Sequence, residues 1–545
     1  LCWCSSSNGF RQKFASSWLG GKAMQERKLT IYFTSDLHSY IYPTDYRSQT
    51  EKDLGLFKCA SRFQKDGNTL IIDGGDLLQG SPFGAYCHDT IGSAEKFAEI
   101  MNRCSYDYVT LGNHDFNYGM AYLDSYLDAL HARCVCQNVR RADGSTRFPA
   151  RVHTLENGLR VGIVGIVTDY VNVWEKKENL VGVQVVDPFI EAQKALSELK
   201  GKTDINICIY HGGFEADLDT GRRLTESTEN VGYKICEELE FDILLTGHQH
   251  MSVDGRFITS KTGHRTYVVQ PLDAAKEYHL IEINVVDNNN IMVTSEKIKA
   301  DHKLAKTAVT VTVSKDENST DSKEKGEPLY EKYMYYENKV QDWLNQPIGT
   351  LSRALLPADK LDMAYNGTPI ADFINRVQLY FSGAQVSAVG LANDIAGFKE
   401  KVSTRDIIAT YPFPNTLVVF NISGKNLKLA MERSAEYFAY DSDGKLTISD
   451  RFLSPKVEHY NYDYFAGVDY KIDPSKPIGS RIVKLEYQGK PVTDEQMLTL
   501  CLNNYRASGA GEYPMYKECT IAKEINIEMV ELLMEYFRMN PVIEV

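Results

Sequence analysis

The stretch Leu111-Gly112-Asn113-His114-Asp115 directly follows an apolar run, residues 106–111, that is typical of a buried strand. A glycine, an amide, an imidazole and a carboxylate have little reason to end such a strand unless the strand delivers them to a site. In open α/β sheets, ligands bind at the carboxyl ends of the strands, where loops bend the backbone and expose polar groups. The stretch therefore predicts an α/β sheet with a polar site at one edge.

Four other apolar runs end in the same way. Residues 29–34 end in Ser35-Asp36-Leu37-His38, residues 69–73 in Gly74-Gly75-Asp76, residues 205–210 in His211-Gly212-Gly213, and residues 241–245 in Thr246-Gly247-His248-Gln249-His250. Taken singly, a strand-end Asp or His is more often a cap, a turn residue or a surface group than a ligand. Five such ends in one region favour a shared metal site.

A pair of divalent ions accounts for this set of side chains. A dinuclear hydrolase holds its ions roughly 3.5–4 Å apart, and a carboxylate must bridge them. Asp76, alone after its Gly-Gly turn, suits that bridge. We expect Asp36, His38 and His250 to complete the first ion, and Asn113, His211 and His248 the second. Oxygen and imidazole ligands without thiolate favour Mn, Zn, Fe or Co.

His114 follows a candidate ligand but is expected to point past it, toward a substrate. There it can protonate a leaving oxygen, as a general acid does, or stabilise the charge of a phosphorane-like transition state. Asp115 is expected either to orient the His114 imidazole or to support the ligands from behind. We therefore treat His114 and Asp115 as the catalytic candidates.

Length, composition and charge limit the class of protein. A chain of 545 residues is expected to form two or more domains. The net charge of -13 argues against a nucleic-acid polymer as partner, because such binding depends on clustered Lys and Arg. A small anionic substrate remains compatible, because metal ions reverse the local field. No apolar run approaches the ~20 residues that span a bilayer, and no obligate protein partner is evident.

The eleven cysteines are irregularly spaced, and several lie inside apolar strand or helix patterns. Buried free thiols are the expected reading, and this usage favours a reducing compartment. Residues 1–23 lack the apolar core of a signal peptide and are expected to be an unstructured extension. We accordingly expect a cytoplasmic protein, with export or a cell-surface location as the alternative.

The chain pattern predicts a two-domain fold of the α/β (α+β) class. From residue 24 to 300, short apolar runs alternate with stretches of helical length, which predicts a layered β-sandwich flanked by helices. Residues 301–344 form a polar linker followed by a connecting helix at 330–344, where hinge motion is expected. Residues 345–545 form a smaller α+β domain.

At the five strand ends the chain resembles the calcineurin-like metallophosphoesterases, whose blocks read D-x-H, G-D, G-N-H-[DE], a lone His before Gly, and G-H-x-H. With the second domain included, residues 24–545 resemble the 5'-nucleotidase family. That resemblance implies a nucleotide substrate and a carboxyl-terminal nucleoside-binding domain in which two aromatic rings sandwich the base. By local match these rings are Phe413 and Tyr505, with Tyr411 as a close competitor to Phe413. Core packing is the alternative reading for such rings.

Two departures separate the chain from the strict 5'-nucleotidase branch. A G-G-G-x-R run is replaced by residues 389–394, and Asn393 in that stretch is a further substrate-binding candidate. The aspartate that usually partners the catalytic histidine is replaced by Asn117. Both resemble the 2',3'-cyclic-nucleotide 2'-phosphodiesterase/3'-nucleotidase branch, which predicts hydrolysis of 2',3'-cyclic or 3'-nucleotides. The alternatives are a 5'-nucleotidase or UDP-sugar hydrolase, a phosphatase of non-nucleotide esters, and a non-catalytic nucleotide-binding protein.

Overall fold

The computed structural model describes residues 27–224, 228–287, 290–301, 312–313, 329–413, 415–454, 457–525 and 527–545. The predicted extension at 1–23 and most of the predicted linker at 301–328 lie outside these residues.

Two six-stranded sheets form the amino-terminal part of the described chain. The first has the strand order Asn290–Lys299, Glu277–Asp287, Arg27–Thr34, Thr69–Asp73, Tyr108–Val109 and Arg133–Cys134. The second has the order Arg151–Thr154, Arg160–Val167, Ile205–His211, Ile243–Thr246, Arg265–Gln270 and Val253–Thr259. The strands that lead to the candidate ligands are parallel to one another within each sheet. Their carboxyl ends therefore meet at one edge.

The two sheets pack face to face. Alternate residues of the first strand, Leu29, Ile31 and Phe33, point into a shared core that also contains Ile207 and Ile243 of the second sheet. This alternation follows from the two-residue period of a strand. Helices cover both outer faces: Leu56–Ala60, Pro82–Tyr86, Glu95–Arg103 and Met120–Ala129 on the first sheet, and Pro188–Leu199 and Gly232–Glu238 on the second. The predicted layered sandwich is confirmed.

The predicted connecting helix is present but divided. It consists of Leu329–Lys332 and Met334–Leu344, which are separated at Tyr333. Val340 and Leu344 are fully buried in the core on the outer face of the first sheet. The helix is thus part of the amino-terminal packing as well as the route to the rest of the chain.

The carboxyl-terminal part is the predicted α+β arrangement. Its five-stranded sheet has the order Asp463–Ala466, Val386–Gly390, Met497–Asn503, Leu417–Ser423 and Thr520–Ile525. Its helices are Lys360–Asn366, Pro369–Ser382, Thr404–Thr410, Gly424–Ala435, Asn504–Ala507 and Met529–Met539. Two separate cores lie on its faces.

Shorter elements complete the fold. In the first part the strands are Thr44–Asp45, Thr50–Glu51, Gln64–Lys65, Cys136–Arg141, Thr146–Phe148, Val183–Val185 and Thr312–Val313, and the short helices are Cys87–Ile91, Asn113–Phe116, Val171–Trp174 and Lys177–Leu180. In the second part the strands are Pro347–Leu351, Lys401–Ser403, Phe438–Tyr440, Leu446–Ile448, Asp469–Ile472, Ile482–Tyr487, Lys490–Pro491 and Val542–Ile543, and the short helices are Asp450–Phe452, His459–Asn461 and Pro514–Glu518.

One predicted strand is much shorter than expected. The apolar run at 106–111 pairs with its neighbours only at Tyr108–Val109. The Thr110 amide still donates to the Asp73 carbonyl at 3.1 Å, and the chain then turns into the 3₁₀ helix Asn113–Phe116. The apolar side chains are buried as predicted, but the chain stops pairing with the neighbouring strands after Val109 and turns into the candidate site.

Two further features concern the whole chain. Across the described ranges, every helix is too short or too polar to cross a bilayer. The nine cysteines in the part that the structure describes are free, and seven of them are buried. This agrees with the predicted packing role of the thiols.

Candidate active site

The strand ends bring the candidate ligands together in two groups. Asp36, His38 and His250 form one, and Asp76, His211 and His248 form the other. Within each group, the possible ligand atoms all lie within 4.8 Å of one another. The groups are adjacent, because His211 Nε2 lies 3.1 Å from Asp76 Oδ2 and 4.0 Å from Asp36 Oδ1. His38 Nε2 is 3.8 Å from the same Asp76 oxygen, which is thus placed between the groups as a bridge requires.

The backbone at these positions is unusual. Asp36, His38, Asp76, His248 and His250 have positive φ angles of 55°, 45°, 58°, 73° and 50°. Residues with a Cβ rarely adopt this left-handed conformation, and it costs about 1–3 kcal/mol at each position. The sharp turns aim each side chain back across the edge of the sheets. Such strain is typical of functional sites.

Three buried atoms in the site have no hydrogen-bond partner within the described residues: Asp76 Oδ2, Asn113 Oδ1 and His211 Nε2. His211 Nδ1 donates to the Gly74 carbonyl at 2.7 Å, so its Nε2 faces an Asp76 oxygen at 3.1 Å. Two such electron donors repel each other unless a cation or a proton lies between them. Oxygen and imidazole atoms left unpaired in this way fit divalent ions.

Hydrogen bonds behind the candidate ligands fix their orientation. His38 Nδ1 donates to the Gln79 carbonyl at 2.9 Å, which directs Nε2 toward Asp76 and His250. His248 Nε2 lies 2.8 Å from a Glu229 carboxylate oxygen, which leaves Nδ1 for a ligand. Carboxylates and carbonyls commonly orient metal-binding imidazoles in this way. Sequence reasoning missed Glu229 because it lies in a loop, away from any strand end.

The charges in the site stabilise one another. Burial opposes ionisation of Asp36, but His211 and His250 outweigh it and lower the pKa of this carboxyl to about 2. Burial likewise disfavours a charged His211, yet Asp76 and Asp36 raise the pKa of its imidazole to about 10. Both carboxylates therefore stay ionised at neutral pH and attract positive charge.

His114 lies beside these groups without joining them. Its backbone amide donates to Asp76 Oδ1 at 2.7 Å, and its ring meets the His38 ring edge-on at 5.2 Å between centroids. Burial lowers the pKa of His114 to about 4, against the raising effect of Asp76. The imidazole is thus buried beside both candidate ligand groups.

Asp115 serves the loop rather than the His114 ring. Its two oxygens accept hydrogen bonds from the backbone amides of Asp76, Leu77, Leu78 and Gly112, at 2.8–3.0 Å. Asp115 therefore fixes the turn that carries Asp76. Of the two roles expected for it, this placement corresponds to support of the ligands from behind and not to orientation of the His114 imidazole.

The Asn117 side chain takes the place next to His114. Its side-chain amide group lies 3.4 Å from His114 Nδ1. In the orientation that satisfies its neighbours, the Asn117 oxygen faces His114 Nδ1 and accepts from it. The Asn117 nitrogen then donates to the His114 carbonyl at 3.3 Å and to a Glu175 carboxylate oxygen at 3.3 Å. Asn179 Nδ2 in turn donates to the Asn117 carbonyl and to Glu175, both at 2.8 Å. Glu175 and Asn179 were not predicted, because they come from a distant loop.

The predicted substrate-binding residues are not all in one place. Phe413 is partly buried and lines a cavity of about 380 Å³ together with His38, His114 and His250. Tyr411 lines the same cavity, but it is 1% exposed and belongs to the carboxyl-terminal core. We call this space the Phe413 cavity.

Tyr505 and Asn393 lie elsewhere. Tyr505 is 45% exposed and is not part of the wall of the Phe413 cavity. Asn393 Nδ2 donates to the Val457 carbonyl at 2.8 Å, while its buried Oδ1 has no hydrogen-bond partner in the described residues. Next to Tyr505, Arg506 is buried in an ion pair with Asp463 at 2.9 Å, so its charge is committed to holding this loop.

A second cavity of about 420 Å³ also has His114 in its wall. Its amino-terminal wall includes Asn113, Trp174 and His248, and its carboxyl-terminal wall includes Asn504. We call it the Trp174 cavity. His114 therefore lies where two cavities between the halves of the chain meet.

Comparison with protein families agrees with this geometry. Residues 29–252 match the model described as calcineurin-like phosphoesterase, and residues 347–518 match the 5'-nucleotidase C-terminal domain. A crystal structure from Staphylococcus aureus, assigned as a 5'-nucleotidase in complex with alpha-ketoglutarate, is 32% identical. The match covers 94% of this chain and 97% of that one, with a TM-score of 0.66.

Two curated proteins are similar along nearly the whole chain. The 2',3'-cyclic-nucleotide 2'-phosphodiesterase/3'-nucleotidase of Haemophilus influenzae is 27% identical over 96% of this chain and 86% of its own length. The trifunctional nucleotide phosphoesterase protein YfkN of Bacillus subtilis is 28% identical over 93% of this chain, which spans only 38% of that longer protein.

Proposed function

Because the chain belongs to the 5'-nucleotidase family of calcineurin-like metallophosphoesterases, we propose that it hydrolyses 2',3'-cyclic nucleotides and 3'-nucleotides. The family fold is one that holds divalent metal ions. The observation that carries the proposal is the convergence of two ligand groups around the unpaired Asp76 oxygen, with His114 beside them. The names of relatives such as the Haemophilus influenzae protein favour this substrate class over 5'-nucleotides and UDP-sugars, which are the second choice.

The proposal assigns a role to each candidate residue. Asp36, His38 and His250 would hold one ion, and His211 and His248 would hold the other together with Asn113. Asp76, whose Oδ2 lies near both groups, would be shared between them. When bound, the ions activate water and neutralise charge on the phosphoryl oxygens. Mn, Zn, Fe and Co suit this ligand set.

Side chains of the protein protonate the leaving group and bind the base. The P–O bond to the nucleoside breaks as water attacks in line. The negative charge of the bound phosphate opposes the effect of burial on the pKa of His114. The imidazole is then protonated and gives its proton to the departing oxygen. Phe413 packs against the base in the cavity that also contains His114. Tyr505 is the second ring of the sandwich only after the carboxyl-terminal part moves, because in this arrangement it lies outside that cavity.

The same reasoning assigns the parts of the chain. We assign catalysis to residues 24–300, the connection to residues 301–344 and nucleoside binding to residues 345–545. The family matches at 29–252 and 347–518 support these boundaries.

A substrate panel with Mn²⁺ tests the function. We expect phosphate ester hydrolysis with 2',3'-cyclic AMP and 3'-AMP to exceed that with 5'-AMP and a UDP-sugar, and chelator treatment to abolish it until Mn²⁺ is restored. His114→Ala is expected to lower kcat about 100-fold or more, the usual contribution of a general acid. His131→Ala, at an exposed surface position, is the matched control.

The rival classes give different results in this panel. Binding without turnover by both the wild type and His114→Ala supports the non-catalytic nucleotide-binding protein. Equal activity on nucleotides and on simple phosphate esters supports the phosphatase of non-nucleotide esters. Either result contradicts the proposal.

A further inference from the structure

The hydrolysis of a cyclic nucleotide does not require the Trp174 cavity, so this cavity has no role in the function proposed above. It contacts His114 and Asn113 on one side and reaches Asn504 of the carboxyl-terminal part on the other. The Phe413 cavity is also lined by His114, together with His38 and His250. A phosphorus beside His114 is therefore open to two separate spaces, each with room for a ring and a sugar.

Trp174 is held firmly at the wall of its cavity. It ends the short helix Val171–Trp174 and stacks on His248, with 5.5 Å between ring centroids and 26° between planes. The segment that follows is fixed to the turn of His114, because Asn179 donates to the Asn117 carbonyl at 2.8 Å. A rigid aromatic side chain next to the reacting centre is suited to pack against a planar group.

The charges that line this cavity limit what it can accept. Glu175, Glu229 and Glu524 contribute to its wall, and among the described residues lining it there is no lysine or arginine. A second phosphate group would meet repulsion there. A neutral or cationic ring would not.

The geometry of phosphodiester hydrolysis requires such a space for some substrates. The attacking and leaving oxygens are roughly in line, so the group on the retained ester oxygen leaves the phosphorus sideways. In a 2',3'-cyclic nucleotide both ester oxygens belong to one ribose, and a single cavity suffices. In a diester with two separate organic groups, the retained group needs a cavity of its own.

From this arrangement we infer that the Trp174 cavity is a second substrate subsite, which binds the retained ester group of a linear phosphodiester by packing its ring against Trp174. The inference rests on the proposed function. In the reaction a water oxygen bonds to phosphorus and releases a proton to the solvent. The bond to the leaving oxygen breaks, that oxygen takes a proton from His114, and the imidazole is protonated again from the solvent. The product phosphate monoester keeps its ring in the Trp174 cavity.

Two esters with the same leaving group test the subsite. Bis(p-nitrophenyl) phosphate carries a second ring and p-nitrophenyl phosphate does not, and both release p-nitrophenolate. We expect Trp174→Ala to raise KM for the diester about tenfold or more, as loss of ring stacking does, and to leave KM for the monoester unchanged. Trp174→Phe is expected to keep most of the affinity for the diester.

Trp343→Ala is the matched control, because Trp343 lines the Phe413 cavity instead. It is expected to change KM for the two esters by the same factor. Circular dichroism of each variant checks the fold. Trp174→Leu, which keeps apolar volume but has no ring, takes the place of the alanine variant if that variant is unfolded, with the same expected rise in KM for the diester alone.

The contrary outcomes are distinct. If Trp174→Ala lowers kcat for both esters with KM unchanged, Trp174 only supports His248 and the subsite is rejected. Equal changes of both KM values, or a wild type that hydrolyses the monoester but not the diester, also reject it. If the wild type hydrolyses no phosphate ester at all, the proposed function itself fails.

Discussion

At the scale of single residues, the site depends on close approach of backbones. A Cβ on Gly112 would lie 2.1 Å from Asp76 Oδ1 and 2.5 Å from the Asp76 amide. Only glycine, which has no Cβ, therefore allows the backbone before Asn113 to lie this close to Asp76, the candidate bridging ligand. The left-handed angle of Asp76 itself is held by Asp115, which accepts its amide hydrogen at 3.0 Å. The strained backbone of Asp76 is thus held by Gly112 and Asp115, which are not themselves candidate metal ligands.

Asn117 is expected to keep the His114 ring in position. If His114 donates the proton to the leaving oxygen, its orientation matters most when that oxygen is a poor leaving group. We expect Asn117→Ala to lower kcat for 3'-AMP by about tenfold to 100-fold, and to change kcat for p-nitrophenyl phosphate much less, since nitrophenolate departs without a proton. Steady-state kinetics on the two substrates measure the difference.

Glu175→Gln extends this test, because Glu175 contacts the Asn117 amide and not the His114 ring. It is expected to show the same pattern with a smaller loss. Equal losses on both substrates in Asn117→Ala would mean that the residue only supports the local fold.

At the scale of secondary structure, the end of the sandwich opposite the site is held by Asp204. This residue precedes the strand Ile205–His211 and accepts hydrogen bonds from the Arg160 amide and guanidinium at 2.9 and 2.8 Å. It also pairs with Arg27 of the first sheet at 2.9 Å. One carboxylate therefore joins the two sheets at the start of their strands.

The charge of Asp204 predicts a sensitivity to acid. Burial opposes its ionisation, but Arg160 and Arg27 lower its pKa from the ordinary 3.8 to about 2. A carboxyl whose pKa is lower in the folded state stabilises the fold above pH 3.8, and this contribution is lost as the pH falls toward 2. We expect Asp204→Asn to lose about 1 kcal/mol at pH 7, because both arginines are partly exposed, and to lose less further stability on acidification. Urea unfolding at several pH values measures this.

Asp128→Asn, at an exposed position on the helix Met120–Ala129, is the control for the change of charge. It is expected to unfold like the wild type at each pH. If Asp204→Asn keeps the acid dependence of the wild type, the link between the sheets does not depend on this carboxylate.

Whether a feature could be predicted from the sequence depends on how far apart along the chain the residues that form it lie. Asp36, Asp76 and His211 were predictable because each lies at or just beyond the end of a buried strand, and parallel strands must end at one edge. Glu229, which contacts His248, was not, since it comes from a loop that carries no local pattern. The place of Tyr505 also depends on how two separately packed parts meet, which local patterns do not determine.

At the scale of the whole molecule, the helix Met529–Met539 links the two parts beside the Phe413 cavity. Arg538 pairs with Asp89 at 2.8 Å, and Gln79 donates to Glu531 at 3.1 Å. Gln79 also accepts from His38 through its carbonyl, so this contact reaches the candidate metal site. The arrangement of the two parts and the site are therefore coupled through a few polar contacts.

Removing one of these contacts is expected to loosen the arrangement without altering the chemistry. The Arg538 side chain is 45% exposed and that of Asp89 30% exposed, so Arg538→Ala costs little stability. We expect it to raise KM for 3'-AMP several-fold, because nucleoside binding needs both parts, and to leave p-nitrophenyl phosphate turnover unchanged. Small-angle scattering is expected to show a broader distribution of dimensions.

Lys484→Ala, which removes an ion pair within the carboxyl-terminal part, is the control. An unchanged KM for 3'-AMP together with unchanged scattering would show that packing around the helix Met334–Leu344, and not these ion pairs, fixes the two parts in place.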